Sequence, residues 1–121
     1  MDDFTKAYIQ AALWSTNDDE GDPLENNYSA DDIDSLTLSR IKDDCKRFQE
    51  ENADDIAEWE GDRTPEEAAG HDFWLTRNGH GTGFWDGDWP EDAGDQLTVA
   101  SEAFSSFDLY VGHDDGRIYV C

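Results

Sequence analysis

The net charge of this chain is the feature that most limits what it can fold into. Its 121 residues carry 31 acidic and 8 basic side chains, which gives a formal net charge of -23. High net charge with low hydrophobicity is typical of disordered chains, which bury too little apolar surface to offset the entropy lost on folding. The sequence nevertheless has 5 Trp, 4 Tyr and 6 Phe, residue types in which disordered acidic chains are poor. We therefore predict a folded protein with one small core.

The length and the charge together exclude several classes of protein. We predict a single domain over residues 1–121, with a helical half over 1–70 and a hairpin–helix–hairpin half over 71–121. An acidic surface repels nucleic acid and anionic lipid, which argues against direct nucleic-acid binding and membrane-surface binding. No apolar run is long enough for a membrane-spanning helix or a signal peptide. We therefore predict a cytoplasmic protein in which Cys45 and Cys121 are reduced thiols.

Apolar residues that recur every three or four positions predict helices. The first helix covers about residues 1–14. The second runs over about residues 34–60 and has the clearest apolar stripe, formed by Leu38, Ile41, Cys45, Phe48, Ile56 and Trp59. A short helix is expected to begin at the capping motif Thr64-Pro65-Glu66-Glu67 and to end at Gly70. A further helix follows Pro90, with Leu97, Ala100 and Phe104 facing the core.

A first β-hairpin is predicted from the aromatic stretch over residues 71–89. The pair Asn78-Gly79 is a frequent two-residue type I′ turn, and it would place Arg77 opposite His80. In that register Phe73 faces Phe84, and glycines on one strand lie beneath large aromatic rings on the other.

A second hairpin is predicted at the C-terminal end. Residues 107–120 alternate around a turn, so that Tyr110 and Tyr119 share one face and the apolar residues share the other. The fold class that follows is α+β, with N-terminal helices packed on a small antiparallel sheet of two hairpins separated by a helix.

Two stretches of the second half carry a resemblance to a known family. GHDFWLTRNGHGTGFWD, residues 70–86, followed by DLYVGHDDGRIYV, residues 108–120, resembles small uncharacterised proteins of bacteriophages and prophages that carry an HDFWLTRNGHGxGFWD core motif. The resemblance implies a helical N-terminal half, this core, a short helix and a closing hairpin. It implies a phage accessory protein and assigns no activity.

Three histidines beside acidic residues suggest a metal site or an acid–base pair. His71, His80 and His113 lack the HxxxH, HxH and CxxC spacings of metal sites, so we predict no metal and no cofactor and leave open whether they converge. A hydrolase would pair Asp72 or Asp86 with His80. No motif supplies a nucleophile, and the glycines of residues 78–83 lack the lysine that follows in a phosphate-binding loop. We predict that the protein is not an enzyme, with a metal-dependent enzyme as a minor alternative.

The acidic residues of the second helix favour a binding function. Several of them form like-charge pairs four residues apart, each of which costs about 0.2–0.5 kcal/mol in an isolated helix. These carboxylates could stand in for phosphates, so that the protein inhibits a basic host or defence protein that binds nucleic acid. The predicted partner-binding face consists of Asp44, Glu51, Asp54, Asp55, Glu58 and Asp62.

The alternative is a halophilic accessory protein whose acidity only keeps it hydrated in concentrated salt. Its partner would then bind the aromatic hairpin, through Trp74, Arg77, His80, Trp85 and Trp89. Of these residues, Trp89 is the candidate for an exposed anchor. Arg77 would either serve this surface or form a salt bridge within the molecule. The oligomeric state is left open.

Overall fold

The computed structural model of the protein describes residues 1–79, 83–85 and 88–120. These residues form an α+β fold that is mostly helical, with one small antiparallel sheet of two strands. The elements in chain order are α1 (Asp3–Ser15), two short 3-10 helices (Leu24–Asn26 and Ala30–Asp32), α2 (Ser35–Glu51), α3 (Ala53–Ile56), α4 (Pro65–Arg77), α5 (Glu91–Glu102), β1 (Leu109–Val111) and β2 (Ile118–Val120).

The first two helices begin where the sequence predicts, because aspartates cap them. Asp2 Oδ1 accepts a hydrogen bond from the backbone N–H of Thr5 at 2.8 Å, and Asp34 caps α2 in the same way. The second predicted helix is, however, divided into α2 and α3. At Asn52 both the backbone N–H and the side-chain amide donate to the carbonyl of Phe48, which closes α2. The apolar stripe continues across this break, since Ile56 is buried.

The helix α4 occupies the residues predicted to form the first strand of the first hairpin, so that prediction is wrong. Thr64 caps α4 as expected, with its hydroxyl accepting from the N–H of Glu67. Gly70 does not end the helix, which runs through the predicted strand to Arg77. A methyl group at Gly70 would overlap the carbonyl oxygen of Phe4, so this glycine allows α1 and α4 to pack closely. The helix therefore also crosses residue 70, the predicted boundary between the two halves.

The Asn-Gly pair ends α4 instead of forming a hairpin turn. The Asn78 amide donates to the carbonyl of Trp74, and Gly79 takes the positive φ of 68° that often follows a helix. The Phe84 N–H then bonds to the Thr76 hydroxyl, so residues 83–85 return to α4 without pairing as a strand. The prediction that Arg77 lies opposite His80 falls outside the described ranges, because His80 is not described.

In the C-terminal hairpin, the two tyrosines share one face and the apolar residues share the other, as the sequence predicts. Leu109 pairs with Val120, and Tyr110 pairs with Tyr119, whose rings stack at 5.7 Å. Gly112 N–H donates to the carbonyl of Arg117 at 2.8 Å, which closes a loop of four residues over 113–116.

Within that loop, the Tyr119 hydroxyl donates a short hydrogen bond to Asp115. This bond raises the pKa of Tyr119 to about 12 and lowers the pKa of Asp115.

One aromatic cluster joins the elements. The Phe48 ring of α2 stacks on the Phe73 ring of α4 with centroids 4.1 Å apart, and Phe4 of α1 packs against both. The cluster extends through Phe84 to Ile118 in β2, so buried residues from both halves of the chain share one core. None of the helices in the described part of the chain is long and apolar enough to cross a bilayer.

Candidate acidic groove

Arg77 and Asp44 form an ion pair within the molecule. Arg77 is 6% exposed, and its Nη1 donates to Asp44 Oδ2 at 2.9 Å and to the Tyr8 hydroxyl at 3.1 Å. Its remaining nitrogens donate to the carbonyls of Phe104 and Ser105. Of the two roles considered for Arg77, the intramolecular salt bridge is the one observed. Neither Arg77 nor the carboxylate it holds is free to form a binding surface.

The predicted aromatic surface is mostly interior. Trp74 and Trp89 are buried, and their indole N–H groups donate to the Ser15 hydroxyl and to Asp72 Oδ2. The choice of Trp89 as an exposed anchor is therefore wrong. Trp85 is 47% exposed and Trp14 is 52% exposed. His80, the remaining member of the predicted surface, lies outside the described residues.

Four of the six predicted acidic residues lie together in a groove. Two adjacent recesses of about 370 and 410 Å³ follow the end of α2, α3 and the start of α5, and they share Asp55 and Gln96. Asp44, held by Arg77, and Asp62, after α3, do not line either recess. We call this surface the acidic groove, and its carboxylates are Glu50, Glu51, Asp54, Asp55, Glu58, Glu91 and Asp92.

The groove is acidic because of how its elements meet. Among the described residues, no basic side chain lines either recess. Glu91 and Asp92 occupy the first turn of α5, where the positive end of the helix dipole favours carboxylates. Sequence reasoning missed these two residues, since only the packing of α3 against α5 brings them beside Asp55 and Glu58. The one sequence signal that could have pointed to Glu91 and Asp92 is their position in the first turn of the helix that follows Pro90.

Two basic residues lie at the α2 edge of the groove. Lys46 and Arg47 approach Glu50 and Glu51 at 3.9 and 3.8 Å, in exposed pairs of small energetic weight. The whole of α2 contains four acidic and four basic side chains, so the excess of negative charge lies entirely in the rest of the chain. The molecule is thus acidic on most of its exposed surface and balanced along α2.

The side chains of Cys45 and Asp72, which could act in catalysis, are held in the core and in hydrogen bonds. Cys45 is a free thiol within the core, and burial raises its pKa, which disfavours the nucleophilic thiolate. Asp72 contacts His71 Nδ1 at 3.1 Å and accepts a hydrogen bond from the Trp89 indole N–H. Its predicted partner His80, and Asp86, the predicted alternative to Asp72, are outside the described residues.

One group of possible metal ligands occurs in the described ranges, formed by Asp18, Glu20 and Asp22 of an exposed loop. It contains no histidine, so His71 and His113 do not converge in such a group. Three carboxylates are the oxygen ligands that hard divalent cations prefer. Exposed carboxylates also cluster without binding an ion, and Asp18 already accepts the N–H groups of Glu20 and Asp22.

Comparison with protein-family models, with curated proteins and with solved structures finds no match to this chain. The arguments about function therefore rest on its own residues.

Proposed function

We propose that the protein inhibits a basic nucleic-acid-binding protein by presenting the acidic groove in place of phosphates. The observation that carries this proposal is a groove that, in the part of the chain the structure describes, is lined by seven carboxylates and no basic side chain. A cationic surface that binds nucleic acid gains affinity by neutralising phosphates, and closely spaced carboxylates offer the same charge. The protein would act by binding, without catalysing a reaction.

The charge density of the groove fits this role. Residues 50–58 would span about 12 Å at the rise of an α-helix. The same length of B-DNA carries about 7 phosphate charges. The seven carboxylates on the two sides of the groove supply a similar number of charges. Because Phe48 of α2 and Ile56 of α3 are buried in the core, the backbone that carries these carboxylates is held in place before a partner binds.

The resemblance of residues 70–86 and 108–120 to small phage proteins supports a phage or virus accessory protein as the setting. Such a protein would act in the cytoplasm, where host and defence proteins bind nucleic acid. The target would be a protein, since the charge of -23 disfavours contact with nucleic acid itself.

High-salt adaptation is the second candidate, and the distribution of charge favours it. Exposed acidic residues occur from Asp2 to Asp115, well beyond the groove. Such a surface remains hydrated in concentrated salt, where screening removes the repulsion between carboxylates. In that case the groove has no partner of its own. The two candidates therefore differ in whether charge reversal in the groove has a local effect.

A competition experiment tests the proposed inhibition. A fluorescent DNA duplex is bound to a basic bacterial nucleoid protein, and release of the duplex by this protein is followed as a loss of anisotropy. A groove variant carries Asp54→Lys, Glu58→Lys and Asp92→Lys, three exposed positions on both sides of the groove. We expect wild-type protein to release the duplex. The groove variant should need at least about tenfold more protein, since each attraction becomes a repulsion.

A control variant with the same total charge isolates the groove. Asp19→Lys, Glu20→Lys and Glu25→Lys change the net charge by the same amount at exposed positions between α1 and α2. This variant should release the duplex as wild-type protein does. If both variants release the duplex equally poorly, total charge alone explains the release by wild-type protein. A wild-type protein that never releases the duplex would contradict inhibition of this kind and leave salt adaptation as the explanation.

A further inference from the structure

A narrow recess between α1 and the start of α4 differs in charge from most of the surface. Its volume is about 160 Å³, the space that about five water molecules occupy in the liquid. Two basic and two acidic side chains share it, in a chain where 31 acidic residues face 8 basic ones. The recess has no residue in common with the acidic groove. The polar residues that line it are Asp3, Lys6, Gln10, Arg63, Glu67 and His71.

The helical spacing of α1 forms one wall of this recess. Positions 3, 6, 7 and 10 lie on one face of an α-helix, and position 14 continues the same face. Ala7 is buried and gives the wall an apolar part. The exposed ring of Trp14 lies beside His71, with the ring centroids 6.3 Å apart. The recess therefore combines charges of both signs with an aromatic surface next to it.

The four charged side chains of the recess are not paired with one another. In the part of the chain that the structure describes, neither Lys6 nor Arg63 forms an ion pair within 4 Å, and the same holds for Asp3 and Glu67. The helix α1 supplies one charge of each sign, and so does the segment over residues 63–67. Opposite charges that surround one space without contact can each bind a charged group of a ligand.

The imidazole of His71 brings one more polar group to the recess. Its Nδ1 lies 3.1 Å from Asp72 Oδ1, and the same aspartate accepts from the Trp89 indole N–H. In a neutral imidazole whose Nδ1–H donates to a carboxylate, Nε2 is left as an acceptor. The ring is therefore held in one orientation by the core behind it, and its second nitrogen can accept a hydrogen bond from a ligand.

We propose that this recess binds a free α-amino acid that has an aromatic side chain. The carboxylate of the amino acid accepts hydrogen bonds from Lys6 and Arg63, and its ammonium group donates to Asp3 and Glu67. Its aromatic ring packs against the exposed ring of Trp14. This binding does not depend on the inhibition proposed for the acidic groove.

The net charge of the ligand distinguishes an amino acid from other small molecules. A protein charge of -23 repels an anion such as a nucleotide at long range, and it attracts a cation to most of the surface. A zwitterion has no net charge, so it is bound selectively only where both signs lie close together. The recess has this property, and its volume suits the ammonium and carboxylate end of an amino acid.

A set of related compounds tests this assignment by titration, with NMR chemical shifts as the measurement. L-Phenylalanine should bind saturably, with a dissociation constant on the order of 1 mM, and should shift the indole N–H signal of Trp14. L-Phenylalaninamide lacks the carboxylate, N-acetyl-L-phenylalanine lacks the ammonium group, and L-alanine lacks the ring. Each of these three should bind at least about tenfold more weakly, because it loses the charged hydrogen bonds or the ring contact.

Two double variants with the same change in net charge locate the site. The variant with Lys6→Gln and Arg63→Gln, both at exposed positions, should bind L-phenylalanine at least about tenfold more weakly and L-phenylalaninamide about as wild-type protein does. A loss of folding would not produce this difference between the two ligands. The control carries Lys42→Gln and Lys46→Gln, at exposed positions of α2, and should bind L-phenylalanine as wild-type protein does.

Three results would overturn the proposal. The first is that L-phenylalanine, L-tyrosine and L-tryptophan all fail to bind saturably up to about 10 mM, well above the expected dissociation constant. The second is that L-phenylalaninamide binds more tightly than L-phenylalanine, which would show only the attraction of cations to an acidic protein. The third is that both double variants bind L-phenylalanine equally, since the recess would then make no contribution of its own.

Discussion

Arg77 shows how one basic residue can organise an acidic protein. Its guanidinium group joins α1 through Tyr8, α2 through Asp44 and the segment after α5 through the carbonyls of Phe104 and Ser105. The group also lies over the rings of Phe73 and Phe107, at 5.2 and 4.9 Å from their centroids. A buried charge is tolerated when it is paired and hydrogen-bonded, and here all three side-chain nitrogens donate hydrogen bonds to partners in several parts of the fold.

Removal of this charge should weaken the fold strongly. Arg77→Met keeps much of the side-chain volume but leaves Asp44 and two carbonyls without their donor. We expect the free energy of unfolding to fall by about 3 kcal/mol, the lower end for a broken buried pair, because Asp44 keeps some exposure to water. Tyr8→Phe removes only one of the hydrogen bonds and should cost about 1 kcal/mol. Urea unfolding measures both, and equal midpoints for Arg77→Met and wild-type protein would disprove the structural role.

At the scale of elements, α4 is where local sequence and tertiary packing disagree. Its residues from Ala68 to Arg77 are buried except for a half-buried His71, so the helix has no polar face that would reveal its period. The Asn-Gly pair and the aromatic residues that suggest a hairpin serve here to end a helix and to fill the core. Gly70 lies in the middle of that helix, where a Cβ atom would overlap the Phe4 carbonyl oxygen of α1.

The variant Gly70→Ala distinguishes helix propensity from close packing. In an open helix, alanine would stabilise the protein by about 1 kcal/mol relative to glycine. At this position the added methyl group meets the Phe4 carbonyl oxygen, which cannot rotate away, so α1 and α4 must separate. We expect a net loss of about 2 kcal/mol by urea unfolding. Glu66→Ala, at an exposed position of the same helix, should change stability by less than about 0.5 kcal/mol. A more stable Gly70→Ala variant would show that the two helices are not in contact there.

At the scale of the whole molecule, charge repulsion sets the conditions for folding. A protein of this length is about 35 Å across, so at low ionic strength its charges repel one another over the whole molecule. Few of the carboxylates have a basic partner within 4 Å in the described part of the chain. The core must therefore offset a repulsion that salt can remove.

Stability should rise with salt concentration. Between about 10 mM and 1 M NaCl the Debye length falls from about 30 to 3 Å, which leaves only contacts between neighbouring charges. We expect the melting temperature, measured by differential scanning calorimetry, to rise by several degrees over this range. Sodium chloride is the appropriate salt, because sulfate would also strengthen apolar burial. A melting temperature that stays level or falls would mean that self-repulsion is a minor part of the energetics.

The sequence alone determined the features that depend on near neighbours. Capping residues and apolar spacing located α1, α2 and α5, because a helix start and an amphipathic face are read within a few residues. The alternation of apolar and polar residues determined which side chains share a face in the C-terminal hairpin, and the composition determined the net charge of -23.

Only the tertiary structure decided what distant residues do. It made residues 71–77 a helix, since burial on nearly every side removes the periodicity on which the prediction depends. It paired Arg77 with Asp44 across 33 positions of the chain. It also assembled the acidic groove by packing α5 against α3, which brought Glu91 beside Glu58. Contacts of this kind depend on which apolar surfaces meet in the core, and no short segment of the sequence contains that information.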